Sequence, residues 1–153
     1  MTLTDLHRQE LSGITPKNDL EKYFLDNDKR WLHKWFHYFE IYDRYFHKFR
    51  DKEISILEIG IFNGGSLQMW KDYFGPKVKI YGVDIVEECK QFEEDQITVL
   101  IGSQEDSSFW DTVKNSLPKF DIIIDDGGHT MNQQITTYEC MFPHLNEGGI
   151  YLC

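Results

Sequence analysis

Five short apolar runs, at residues 54–59, 78–83, 97–101, 120–124 and 150–152, alternate with stretches of helical periodicity, and this alternation limits the fold more than any other feature of the chain. Apolar spacing predicts helices over 67–74, 107–117 and 132–141, with Pro143 and Gly148-Gly149 marking the exit from the last. Strands joined by helices cannot pair as hairpins. Each must run in the same direction as the one before, so the pattern predicts an α/β fold: a parallel sheet of roughly five strands with flanking helices and right-handed crossovers. A chain of 153 residues has room for one such domain with a fair core and little else.

Ahead of the first strand the chain is dense in aromatic residues. Trp31, Trp35, Tyr38, Phe39, Tyr42 and Phe46 recur at spacings of three and four, leaving Lys34, Asp43, Arg44 and Lys48 for the opposite side. One amphipathic, aromatic N-terminal helix within residues 19–50 is predicted. Its simplest use is core; covering a cofactor or forming the contact of a homo-oligomer stay open as alternatives. The expected division is therefore a helical segment at 1–50 packed on a domain at 51–153. His33 and His37 would lie one turn apart on that helix, but no acid completes an HExxH motif, so surface or lid packing is preferred to metal binding.

Composition removes several classes of function. A formal charge of -10 with no basic stripe argues against nucleic acid. Cys89, Cys140 and Cys153 form no CxxC pair, which points to reduced thiols and a cytoplasmic protein, with Cys140 a small buried apolar residue. No N-terminal apolar run and no run of membrane-spanning length is present, so neither export nor a membrane is expected. His144, after Pro143, reads as loop.

Chemistry begins where the first run ends, at Glu58, Gly60, Gly64, Gly65 and Ser66. Glycines between a strand and a helix let the backbone turn sharply and approach a ligand, while the helix start offers unpaired N–H groups. Phe62 replaces the second glycine of a GxGxxG fingerprint, so a plain tight turn would account for the loop equally well. Asp84 closes the second strand at the distance where a ribose-binding acid is expected, although it could instead cap a short helix over 85–89. Glu58 would repel a pyrophosphate and tolerate a cofactor bearing an ammonium and a sulfonium, which favours a methyl donor over a nicotinamide. The strongest local feature is Asp125-Asp126-Gly127-Gly128-His129 after the fourth strand, where ligands of open parallel sheets bind. The alternative there has the two acids capping the next helix and His129 packing on the surface.

Taken in order, ILEIGIFNGGSLQMWKDYF, IYGVDI, GSQED, FDIIIDDGGHTMNQQ and FPHLNEGGIYL resemble the S-adenosylmethionine-dependent O-methyltransferases of sugars and natural products, typified by the mycinamicin and rhamnosyl-tetracenomycin enzymes and close to the cephalosporin-hydroxylase-like proteins. The resemblance runs from about Asp28 to Cys153 and implies a Rossmann-like fold. It implies magnesium-dependent methyl transfer from S-adenosylmethionine to a hydroxyl of a small-molecule acceptor. By the same resemblance Glu58, Gly60 and Gly65, with Gly64 and Ser66 beside them, would line the methionine side of the cofactor. Asp84 would take the ribose, Ser103 and Gln104 the adenine side, and Asp125 the amino group, leaving Asp126 as a Mg2+ ligand and His129 as general base. Gly128 stands where this family often has serine. An acidic pair follows the fifth strand in that family, so the chain is expected to stop before its remaining metal ligands, lacking the last strands of the complete fold and with its own activity in question. Three other readings are kept: a non-catalytic fragment, a nicotinamide oxidoreductase, and an iron-dependent hydroxylase, which would want two histidines and a carboxylate where only Asp126 and His129 are local.

Overall fold

A computed structural model describes residues 11–153. Its sheet contains β1 (Ser55–Ile59), β2 (Lys79–Asp84), β3 (Ile97–Ile101), β4 (Phe120–Asp125) and β5 (Leu145–Leu152). All neighbours are parallel, in the order β3-β2-β1-β4-β5. The helices are α1 (Asp19–Asp26), α2 (Tyr38–Phe46), α3 (Gly65–Phe74), α4 (Ser107–Ser116) and α5 (Met131–Met141). Strand order reverses at β1, because the chain moves outward through β2 and β3 and then returns to the other side of β1 for β4. The crevice beyond β1 and β4 is therefore where a ligand is expected in such a sheet.

Both faces are covered, and strand alternation decides which residue goes where. Ile56, Ile80, Val99 and Ile122 meet Leu20, Phe39, Phe46, Trp70 and Phe74 on the side of α1, α2 and α3. Leu57, Ile59, Val83 and Ile123 meet Trp110, Val113 and Met141 on the side of α4 and α5. Ile56 pairs in register with both Ile80 and Ile122, so the apolar rows run straight across the sheet.

The predicted aromatic helix is not continuous. Asn27 ends α1, its side-chain oxygen accepting from Lys29 N (3.2 Å) and its amide donating to Arg30 O (2.9 Å), a local turn that competes with further helix. The next residues run extended, and helix resumes only at Tyr38. Burial shows why: Leu32 and Lys34 point inward while Trp31, His33 and Trp35 are exposed, a period of two instead of 3.6. Trp31 and Trp35 therefore do not continue the buried stripe of Phe39, Tyr42 and Phe46. Lys34 is not on a polar face, and His33 and His37 share no helix.

Smaller departures follow from turn chemistry. β5 starts at Leu145, so Gly148 and Gly149 lie inside it, where the pairing register with β4 shifts between Phe120 and Ile122. They form an irregularity in an edge strand, not a helix exit. His144 belongs to a short 3-10 turn and contacts Pro118 O at 3.1 Å, and Cys140 is half-buried. No helix among the described residues is long and apolar enough to cross a membrane.

Candidate functional site

The turn after β1 is built on close contact. Gly60 has φ +82, and a Cβ there would collide with the carbonyl of Asp126, so the ends of β1 and β4 touch only because this residue is glycine. Gly64 N closes the turn onto Ile61 O at 2.7 Å, and α3 starts at Gly65. Phe62, at the position of the second fingerprint glycine, adopts φ +47, a conformation that costs a non-glycine residue roughly 1–2 kcal/mol. Its exposed ring rests against Trp31, with centroids 5.3 Å apart.

Asp84 organises this turn. Its Oδ2 accepts from Ile61 N (3.0 Å) and Phe62 N (3.2 Å), and its Oδ1 from Val86 N (3.1 Å). The following helix is a 3-10 segment at Glu87–Phe92, later than the 85–89 anticipated. Asp84 lines a cleft of about 300 Å³ together with Gly60, Ser103, Gln104, Asp126 and Gly127. An adjoining cleft of about 400 Å³ contains Gly60, Gly65, Ser66, Asp126 and His129, with Lys34, Trp31 and Trp35 along its other wall. The two clefts share Gly60, Phe62 and Asp126, so the glycine bend and the Asp-Asp-Gly-Gly-His corner do converge on one crevice.

The two neighbouring acids of that corner point to opposite sides of the sheet. Asp125 is buried toward α5, with its carboxylate accepting from Gln104 Nε2 (3.2 Å), Gly127 N (3.3 Å) and Tyr151 Oη (3.3 Å). Burial pushes its carboxyl above the ordinary aspartate value, against the pull of Gly127, Gln104, Tyr151 and the nearby His129. Gln104 ties the corner together, its Nε2 also donating to Thr137 Oγ1 (2.9 Å) and its Oε1 accepting from Gly128 N (2.7 Å). Neither acid caps the next helix. Thr130 does so through a capping box with Gln133, which leaves the acids free for other work.

Asp126 points toward α2 and α3 and is paired with Lys34. The same ammonium donates to Glu58 Oε1 at 2.8 Å. Glu58 is fully buried and also accepts from Ser66 Oγ (2.7 Å) and Trp70 Nε1 (3.1 Å). Burial alone would lower the Lys34 pKa, but Glu58, then Tyr42 and Asp126, reverse that and raise it. Glu58 is thus enclosed behind the glycine turn, where it shares the Lys34 ammonium with Asp126 and is held by two neutral donors. Gly65 likewise has a packing reason: a Cβ there would strike the carbonyl of Trp31.

Lys34 is the site residue that periodicity conceals. A signal existed, since Glu58 sits in the apolar run of a central strand and a carboxylate there requires a cationic or donor partner. As to a metal, no group of three or more His, Cys, Asp and Glu side chains that could hold one occurs among the described residues. Asp126 contributes one carboxylate, which shares the single Lys34 ammonium with Glu58, so the described residues supply one of the several oxygen ligands that a divalent ion prefers.

Sheet order, the glycine turn at the switch point and the acid closing β2 define a Rossmann-like fold. No family model matches the chain. In sequence it is similar to mycinamicin VI 2''-O-methyltransferase of Micromonospora griseorubida, 38% identical over 118 residues that make up 72% of this chain and 29% of that enzyme. It is also similar to a rhamnosyl-tetracenomycin-C 3'-O-methyltransferase of Streptomyces olivaceus, 38% identical over 133 residues, or 82% of this chain and 33% of the relative. Among solved structures, the MycE methyltransferase of the mycinamycin pathway, in complex with Mg, SAH and mycinamycin VI, matches with a TM-score of 0.74 and 34% identity over 88% of this chain and 36% of its own. These relatives are O-methyltransferases of natural-product sugars, and the chain spans about a third of their length.

Proposed function

We propose that this chain is the cofactor-binding region of an O-methyltransferase that moves a methyl group from S-adenosylmethionine to a hydroxyl of a sugar on a natural product. The observation that carries this reading is the crevice shared by Gly60, Asp84, Gln104, Asp126 and His129 at the switch point of the sheet, in a chain whose relatives are such enzymes. In it, Asp84 meets the ribose hydroxyls with the lone pairs left over from its loop bonds. Ser103 and Gln104 border the adenine, and Gly60, Gly64, Gly65 and Ser66 border the methionine end. Asp125 acts on the amino group from behind Gly127, and Glu58 acts through Lys34.

His129 is the candidate general base. An alcohol holds its proton too tightly for much alkoxide to exist at neutral pH, and an imidazole titrating near neutrality can accept that proton as the oxygen attacks. Placed on the exposed side of the crevice, His129 can reach an acceptor, and a positioned base of this kind contributes roughly 10²–10⁴-fold. Holding the oxygen in line with the S–CH3 bond supplies much of the remaining rate. MycE is solved in complex with Mg, and in this chain Asp126 would supply one ligand to such an ion, which would help lower the pKa of a coordinated acceptor oxygen.

Calorimetry with S-adenosylhomocysteine tests the reading. Binding is expected, and Asp84→Asn should weaken it about tenfold or more through the ribose and the loop together. No heat of binding at millimolar ligand would count against the proposal.

A further inference from the structure

Most aromatic residues ahead of β1 are committed to packing, and Trp35 is not. The alternation that buries Leu32 and Lys34 turns it outward, where it is 66% exposed, against 39% for Trp31. The Trp31 ring packs on Phe62 and His33, with centroids at 5.3 and 5.9 Å, whereas among the described residues the one ring near Trp35 is His37, 6.2 Å away. A single exposed tryptophan is ordinary. This one is fixed from both sides: Lys34 before it is ion-paired with Glu58 and Asp126, its own carbonyl accepts from Tyr38 N (2.9 Å), and Phe36 after it packs edge-to-face on Phe24 and Phe39. The indole is therefore held as a free flat face on the wall of the cleft that contains His129.

We propose that Trp35 is the acceptor-stacking residue of the crevice: its indole covers one C–H face of the sugar ring whose hydroxyl is presented to His129. This rests on the reading of the crevice given above and extends it from the cofactor side to the acceptor side.

The division of the crevice puts the acceptor on this side. The cleft with Asp84, Ser103 and Gln104 contains neither His129 nor a tryptophan, whereas the cleft with Gly65 and Ser66 contains His129, Trp31 and Trp35. With the nucleoside in the first and the methionine end crossing Gly60, the acceptor oxygen meets both the methyl group and His129 only from the second. A third cleft also reaches His129, past Ile41 and Leu152, but Tyr42 is buried there and Tyr38 half-buried, so no exposed ring face is offered. Stacking suits a saturated, hydroxyl-bearing ring. A pyranose carries most of its hydroxyls around the rim and C–H groups on its faces, and those slightly positive hydrogens are attracted to the electron-rich face of an indole. Such a contact uses no hydroxyl, so the one to be methylated stays free for the base. An axial hydroxyl interrupts the C–H face, so the same contact selects among sugars.

The test is a titration of the 15N-labelled chain with methyl α-L-rhamnopyranoside, alone and again with S-adenosylhomocysteine, read by the indole N–H resonances. The chain has four tryptophans, so these signals are few, and Trp35→Phe assigns the one that matters. The Trp35 signal should move saturably, while those of the fully buried Trp70 and Trp110 stay in place. Trp35→Ala should weaken the glycoside about tenfold, and Trp35→Phe, which keeps a flat ring, should retain most of the affinity. Calorimetry with S-adenosylhomocysteine on the same samples should give the same affinity within about twofold, so that loss of the cofactor reading and loss of this proposal are read separately. No saturable movement of the Trp35 signal up to about 100 mM glycoside in either titration, or equal glycoside affinity in Trp35→Ala, would overturn the proposal.

Discussion

Asp125 and Asp126 are consecutive, yet they sit in opposite electrostatic settings because successive residues leave a strand on opposite sides. Asp126 faces an ammonium, whereas Asp125 faces neutral donors in a buried niche. Its raised pKa means that folding favours the neutral acid relative to the unfolded chain. The resulting stabilisation is complete below the ordinary aspartate value near 4 and is lost as pH rises through the raised folded value. Replacing the group by Asn removes that dependence. Urea unfolding between about pH 4 and pH 7 should show the stability of the unaltered chain falling, relative to Asp125→Asn, as pH increases. A difference that stays flat, or runs the other way, would show that the carboxyl is not held above its unfolded value. Glu58 and Lys34 make the complementary point about legibility. The carboxylate in an apolar run was visible as an anomaly, but its partner lies 24 positions away and carries no local mark of burial.

Among the elements, the least regular has the largest influence on the site. The extended segment between α1 and α2 lies across the start of α3, its backbone meeting Gly65 without room for a methyl group. A side chain at that position must push the segment away, and the ammonium of Lys34 moves with it. Gly65→Ala is therefore expected to lower thermal stability and to increase proteolytic cleavage within residues 27–37, by loosening contacts between the segment and the domain. Equal cleavage of the two forms in limited proteolysis would mean that the close approach is not a constraint. The helices and strands around this segment were legible because each carries its own periodicity and its own stop: Gly65–Phe74 ends at Gly75, and Met131–Met141 starts from a capping box. The segment itself was not. Aromatic residues at spacings of three and four satisfy a helical template, while their actual alternation answers to what lies beneath them, Leu32 over the core and Lys34 over two acids.

The described residues form one sheet with two cores, and each core rests on strands that also form the other. Trp70 lies in the core on the α3 side and Trp110 in the core on the α4 side, both fully buried. Because the strands between them are shared, the two faces should unfold together. Tryptophan fluorescence and far-ultraviolet circular dichroism are expected to report coincident urea transitions. Trp110→Ala should displace both equally, with a loss of about 3–5 kcal/mol. Separate transitions would show that the two cores are independent. At this scale the parallel architecture follows from the alternation of apolar runs with helical stretches, a property of neighbouring residues and therefore present in the sequence by itself, whereas the adjacency of β4 to β1, and with it the crevice, is one of several strand orders such a sheet can adopt. The glycine turn and the Asp-Asp-Gly-Gly-His corner were local features too, and their convergence follows from strand order. What only the tertiary structure decided is how the charges pair: Lys34 with Glu58 and Asp126, Asp125 with neutral donors, and the Trp31 backbone with Gly65. Those pairings depend on burial and on distances across the fold, and neither is a function of spacing along the chain.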